Sequence, residues 1–396
     1  MFSFVKKAGW ISPTQLTGVL VFLLSSWGIV KWFTKIPFSA KDMILAGLGA
    51  LLLFNGLRQF PFYSDIYQLG ALIKLLLPIT VFFYLRAIIQ SQDTLRGVLL
   101  TLLLSSVVPV SLFLFEFFVQ PLEIRRVAAY RGGGLRITGP YPDLYNYLSY
   151  FIVILLVGGR YFIDLAYWRK EQGNGNMLPT LGLLAGILAL SVLALIGFNH
   201  QASWGVIPAL LALLAAFSWK TKEGKIYIIS GVLGLLIALP FVWEHEIAPL
   251  FAKEIAAFSG NFWQDISLNG RVEMWNGFLE QWYSVPMIAK LFGVGLLGKA
   301  EYAVMLSAGT HSQYLFFLFA GGIVGLASFL IFLLLHWRDT KDYTRSWRYF
   351  SLGILITLVL YAGIMLPFSS PVALMYLILI GLGVDRKLLT SPTATK

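Results

Sequence analysis

Apolar runs long enough to cross a lipid bilayer recur along this chain from Leu16 to Val384. A transmembrane helix needs about 20 mostly apolar residues, within a range of about 17–25. Eleven stretches meet or approach that length: Leu16–Phe33, Phe38–Leu57, Ile66–Leu85, Leu95–Val119, Leu144–Phe162, Leu178–Phe198, Ser203–Trp219, Ile226–Trp243, Tyr314–Leu335, Tyr349–Leu366 and Pro371–Val384. Backbone polar groups inside a bilayer must be satisfied by the segment itself, and a helix does this. The expected fold class is all-α: a single polytopic membrane domain over 1–396 with about 11 transmembrane helices (10–12). One long helical loop, residues 244–313, is inserted between spans as a subdomain. If Phe38–Leu57 were re-entrant the count would be ten, and Met1 would change sides.

Only 12% of the 396 residues are charged and 58% are hydrophobic. A soluble domain carries about 25% charged residues, so a soluble enzyme, a nucleic-acid-binding module and a disordered scaffold are all excluded. The net charge of +11 is read as topology, because cytoplasmic loops of membrane proteins collect Lys and Arg. One set of alternate loops, taken with the tail, holds 16 of the 30 basic residues, among them Lys41, Arg86, Arg169, Lys222, Arg338, Arg348 and Lys396. That side is expected to be cytoplasmic, with Gln120–Asp143 and Glu244–Gln313 on the opposite side. Met1–Pro13 does not read as a cleavable signal, and the chain has no cysteine with which to form a disulfide, a thiolate metal site or a thiol nucleophile.

The loop Gln120–Asp143 departs from the charge pattern. It carries Arg125, Arg126, Arg131 and Arg136 on the side where basic residues are scarce, with Gly132–Gly134 just before Arg136. The planar guanidinium suits bidentate binding of phosphate, and glycine allows close backbone approach. Lipid headgroups and neighbouring carboxylates are alternative partners, above all for Arg125 and Arg126. In the second outer loop, apolar residues recur from Arg271 at Trp275, Phe278, Leu279 and Trp282, a helical spacing. The tryptophans suit a helix lying at the headgroup level, and Pro286 ends it. His311 stands just before the span Tyr314–Leu335. An imidazole there can exchange a proton near neutral pH, or it can serve as a hydrogen-bonded helix-entry residue.

Other patterns carry less. Gly293-Val-Gly295-Leu-Leu-Gly298 matches a dinucleotide fingerprint without the surrounding βαβ unit, and is read as a tight turn between loop helices. No metal-binding spacing and no hydrolase elbow occurs. Lys31, Lys74, Glu116, Arg160 and Asp164 lie in or near spans, where charge marks an ion pathway, a buried pair or a snorkelling side chain.

Three stretches together resemble the O-antigen ligase and O-antigen polymerase family of bacterial envelope glycosyltransferases. They are Gly134-Leu-Arg136-Ile-Thr-Gly139 leading to Asn146, Asn269-Gly-Arg271-Val-Glu-Met-Trp275, and Thr310-His311-Ser-Gln313-Tyr314 through Gly321-Gly322-Ile-Val-Gly325. Asn199-His200-Gln201-Ala202-Ser203 departs from the resemblance, since the family often places an arginine there. His200 and Gln201 are left as the candidates to take its place. Position 312 is Ser where asparagine is common.

The resemblance implies transfer of a glycan from an undecaprenyl-diphosphate carrier to an acceptor hydroxyl, in the inner membrane with the site facing the periplasm. Arg136 and Arg271 would bind the diphosphate and stabilise its developing charge, helped by Arg131, Arg125 and Arg126. His311 would be the general base. Gln313, Trp275 and His200 are supporting or acceptor-side candidates. The scheme needs no metal, cofactor, nucleotide sugar or nucleic acid. The acceptor would be lipid A–core in a ligase, a second carrier-linked glycan in a polymerase, or a protein in a related branch. A reading from another class is a transporter or flippase of a lipid-linked or anionic solute, which predicts charged residues within the spans and leaves the long loop with its helix unexplained.

Overall fold

The computed structural model describes residues 13–32, 38–59, 66–119, 144–173, 176–198, 201–244, 271–294, 312–364 and 386–390, with 248, 378, 381 and 384. Helices cover the first ten of the eleven apolar runs, and no strand occurs among the described residues. In chain order they are α1 Pro13–Trp32, α2 Ala40–Gln59, α3 Ile66–Ile88, α4 Gln92–Ser105, α5 Val107–Phe118, α6 Leu144–Val153, α7 Gly159–Gln172, α8 Leu178–Phe198, α9 Gln201–Ser218 and α10 Lys222–Val242. They continue with α11 Arg271–Ser284, α12 Met287–Phe292, α13 Gln313–Asp339, α14 Arg345–Ile364 and the short α15 Arg386–Thr390. Among the described residues six helices are long and apolar enough to cross a membrane, and shorter apolar helices lie at Val19–Lys31, Leu76–Ile88 and Ser203–Ser218. The chain is a multi-pass membrane protein. The run Phe38–Leu57, weak in the sequence, lies in one continuous helix rather than a re-entrant turn.

Local chemistry sets several helix ends. Ser91 caps α4, its hydroxyl accepting from the Thr94 N–H at 3.1 Å, and Asp93 follows in the first turn, where the helix dipole favours an anion. In the predicted span Leu95–Val119, α4 passes into α5 at Ser106, whose Oγ donates to Leu102 O at 2.9 Å. Pro109 then stands in the first turn of α5, where its missing N–H leaves no bond unmade. Between α6 and α7 lies a π-helical turn, Ile154–Gly158. The helix α13 contains a break at Gly322, with φ 65° and ψ −164°.

Contacts bring the predicted basic loops to one end of the bundle. Arg86 pairs with Asp42 at 3.0 Å and Lys41 with Asp339 at 3.7 Å. Arg169 pairs with Glu223, and the Arg345 guanidinium stacks 3.8 Å from the Tyr167 ring. Gln92 Nε2 donates to Leu388 O at 3.0 Å, and Thr344 N–H donates to Leu389 O at 2.9 Å, so α15 lies against the same end. Within the membrane region, Arg160 pairs with Asp164 at 3.2 Å and stacks on Trp347 at 3.7 Å. Fixed pairing of this kind is what a buried charge needs, and it accounts for two of the span charges without a solute pathway. The side chain of Lys74 lies outside the described residues.

The main core runs through α2–α9, α13 and α14, and includes Phe82, Phe113, Phe151, Phe198, Tyr349 and Tyr361. A second, smaller core of Phe278, Val285, Val294 and Phe319 joins the outer loop to α13.

Candidate functional site

Helix direction fixes the end at which each candidate residue is attached. The span formed by α4 and α5 leaves the basic end, α6 and α7 return to it, α10 leaves it and α13 returns. The segments that carry Arg136, Arg271 and His311 are therefore joined to helices at the end opposite the basic one. Arg125, Arg126, Arg131, Arg136, His200 and His311 themselves lie outside the described residues, as does the side chain of Arg271. The backbone of Arg271 is the first residue of α11, as the spacing of Trp275, Phe278 and Trp282 predicts.

The second core couples α11 to α13. Phe278 is 1% exposed and its ring meets that of Phe319 edge-on, with centroids 5.4 Å apart. Phe278 lies two turns beyond Arg271, and Phe319 lies about two turns beyond Ser312. One aromatic contact thus holds the helix that Arg271 opens against the helix that His311 precedes. Trp275 is half-buried on α11, and Trp282 packs on the same small core.

The entry to α13 is built by Ser312. Its backbone is extended, and its Oγ accepts from Leu315 N–H at 3.5 Å and donates to Ala362 O at 3.3 Å. Tyr314 Oη adds a bond to Val359 O at 3.0 Å. Ser312 is therefore the N-cap of α13, while His311 lies outside the described residues. The serine that departs from the family's usual asparagine has a structural task of its own. Gln313 follows, 2% exposed, with a buried Oε1 that has no hydrogen-bond partner among the described residues. A buried acceptor in that condition costs free energy unless something donates to it, which keeps Gln313 among the candidates beside His311.

Gly293 ends α12 with φ 92°, in agreement with the tight-turn reading of the glycine-rich motif; Gly295 and Gly298 lie outside the described residues. Asn55 was not among the sequence candidates. Its Nδ2 donates to Phe292 O at 2.5 Å and to Ala320 O at 2.9 Å, tying α2 to the outer loop and to the broken helix α13. The available signal was a carboxamide within an apolar span, which costs free energy unless it is paired. Among the described residues no group of three or more His, Asp or Glu side chains comes together to hold a metal ion.

A family model described as O-antigen ligase matches residues 186–330. The matched segment runs from the middle of α8 to beyond the Gly322 break, and includes Arg271, His311 and Gln313 but not Arg136. It bears out the family resemblance read from the sequence. No curated protein matches the chain.

Proposed function

Because residues 186–330 match a family model described as O-antigen ligase, we propose that this protein transfers a glycan from undecaprenyl diphosphate to an acceptor hydroxyl at the periplasmic face of the bacterial inner membrane. The acceptor oxygen attacks the anomeric carbon as the bond from that carbon to the diphosphate oxygen breaks. The hydroxyl proton passes to His311, and the carrier leaves as the diphosphate anion. Arg136 and Arg271 hold that anion as forked donors, with Arg131, Arg125 and Arg126 adding positive charge around it. Preorganised donors aimed at developing charge are commonly the largest single contribution to such a barrier. The unpartnered Oε1 of Gln313 receives a hydrogen bond from the acceptor, with Trp275 and His200 lining its approach.

The observation that carries this reading is the reach of the family match across both Arg271 and His311, with the helix that Arg271 opens held by Phe278 and Phe319 against the helix that follows His311 in sequence. In this reading the chain has eleven spans, the basic end is cytoplasmic, residues 244–313 form a periplasmic subdomain and no metal takes part. The acceptor is lipid A–core, the ligase reaction. Joining of carrier-linked repeat units is the alternative within the family.

The test is a transfer assay with the purified protein. A diphosphate-linked glycan is supplied with lipid A–core, with a second carrier-linked glycan, or with neither, and without nucleotide or divalent metal. Glycan on lipid A–core supports the ligase reading, and chain growth on the carrier redirects it to polymerase. No transfer to either acceptor, by protein that still binds the carrier lipid, overturns it in favour of a transporter.

A further inference from the structure

Two glycines with positive φ meet where the outer loop reaches the long helix. Gly293 (φ 92°) ends α12, and Gly322 (φ 65°) breaks α13. A Cβ on Gly293 would collide with the backbone of Ala320 and Gly321, and one on Gly322 with the backbone of Leu291 and Gly293. Only glycine allows both conformations at so close an approach. The polar groups exposed by the break are taken up locally. Val294 N–H donates to Phe319 O at 2.9 Å, and Asn55 Nδ2 donates to Phe292 O and Ala320 O.

The depth of this junction follows from two separate helices. Gly322, the break itself, lies thirteen residues from Leu335, the last apolar residue before His336, Trp337 and Arg338. At 1.5 Å per residue that is about 20 Å. Asn55 lies fourteen residues along α2 from Lys41, which pairs with Asp339 at the basic end. That is about 21 Å. Both values fall inside a hydrocarbon core about 30 Å thick, in the leaflet away from the basic end. Irregular backbone is tolerated at such depth only where the protein satisfies its polar groups, and Asn55 and Val294 do so here.

The outward surface of the segment is apolar. Met287 is 71% and Ile288 67% exposed, and Leu291 and Phe292 are also exposed. Phe292 is bonded by Asn55 and Leu291 meets Gly322, and the chain neighbours of Asn55 and Gly322, Phe54 on α2 and Ile323 on α13, are exposed apolar residues of helices long enough to span. Lys290 is the one charge on α12, and its Nζ lies 5.8 Å from the Trp282 ring centroid on α11, an arrangement in which the ammonium is drawn back toward the interfacial helix.

We propose that residues 286–294 form a re-entrant wedge in the outer leaflet, with Met287, Ile288, Leu291 and Phe292 against lipid acyl chains. The sequence reading leaves this whole loop outside the hydrocarbon. The wedge anchors the far end of α11, so the helix that Arg271 opens is fixed relative to the bilayer as well as to α13.

The test uses the absence of cysteine from the chain. Single cysteines at Ile288, Ile323 and Asn276 are labelled with a nitroxide and the full-length protein is placed in phospholipid vesicles. Collision with oxygen, which partitions into lipid, is compared with collision with a water-soluble nickel chelate. Expected is a label at 288 that matches 323, with nickel collisions several-fold rarer than at 276, which lies on the exposed face of α11. Nickel access at 288 equal to that at 276 overturns the wedge. Ile288 is exposed, so its substitution leaves the core intact. No glycan enters the measurement, and its failure would leave the transferase reading standing.

Discussion

The phenol of Tyr349 donates a hydrogen bond to the carbonyl of Leu155 at 2.9 Å, within the π-helical turn that joins α6 to α7. That carbonyl also accepts from the Gly159 N–H, so the phenol of α14 is a second donor to it, filling its other lone pair. Both residues are buried, and Gly159 makes room, because a Cβ there would collide with the Tyr349 ring. Tyr349→Phe is expected to destabilise the protein by about 0.5–1.5 kcal/mol, the net contribution of one hydrogen bond, since the carbonyl keeps the Gly159 N–H. Gly159→Ala should cost at least as much, because the ring must move. The two losses are expected to be non-additive by about 0.5–3 kcal/mol, as for residues in contact. Thermal unfolding of the four proteins in one detergent measures this, and strict additivity would contradict the contact.

The division of labour between Ser312 and His311 is the second expectation. Ser312→Ala removes the cap of α13 and should lower stability by about 1 kcal/mol, with glycan transfer largely retained. His311→Ala should lower transfer by roughly 10²–10⁴-fold, the usual contribution of a general base, with the melting temperature unchanged. Gln at 311 keeps a hydrogen bond but cannot accept the proton, so His311→Gln should be nearly as inactive. Wild-type turnover by the Gln variant would remove the base assignment while leaving the family assignment in place.

Forked phosphate binding predicts intolerance of lysine at particular positions. Arg136→Lys and Arg271→Lys keep the charge but lose the bidentate geometry, and both should transfer glycan at least tenfold more slowly. Arg125→Lys and Arg126→Lys should be milder. Near-normal rates in all four variants would mean that diffuse positive charge is sufficient.

Sidedness can be read directly with cysteines placed singly at 136, 271, 311 and 396. In intact spheroplasts an impermeant thiol reagent should label the first three and spare position 396 until the membrane is opened. Labelling of 396 but not 271 would reverse the orientation and remove the proposed site from the periplasm.

Much of the architecture is legible in the sequence because the bilayer leaves few alternatives. A run such as Leu178–Phe198 has one way to satisfy its backbone in hydrocarbon, and the helix has the predicted bounds. Alternating basic loops then determine which segments share an end, and Lys41–Asp339 and Arg86–Asp42 bear that grouping out. The spacing from Arg271 to Trp282 likewise determines α11, since a face repeating every three or four residues is a local property. What joins those pieces is not local. Asn55 meets Phe292 and Ala320 across separations of 237 and 265 residues, and Phe278 finds Phe319 from another part of the chain. Periodicity records which face of a helix is apolar but not which partner covers it. The same holds for Gly293 and Gly322. The sequence marks each only as a member of a glycine-rich motif, and the approach of one backbone to the other gives its positive φ a purpose. The sequence alone thus determines most of the described helices and which basic loops share an end of the bundle. Tertiary packing decided that the outer loop is clamped to a broken helix, because the hydrogen bonds freed by that break have partners only in distant segments.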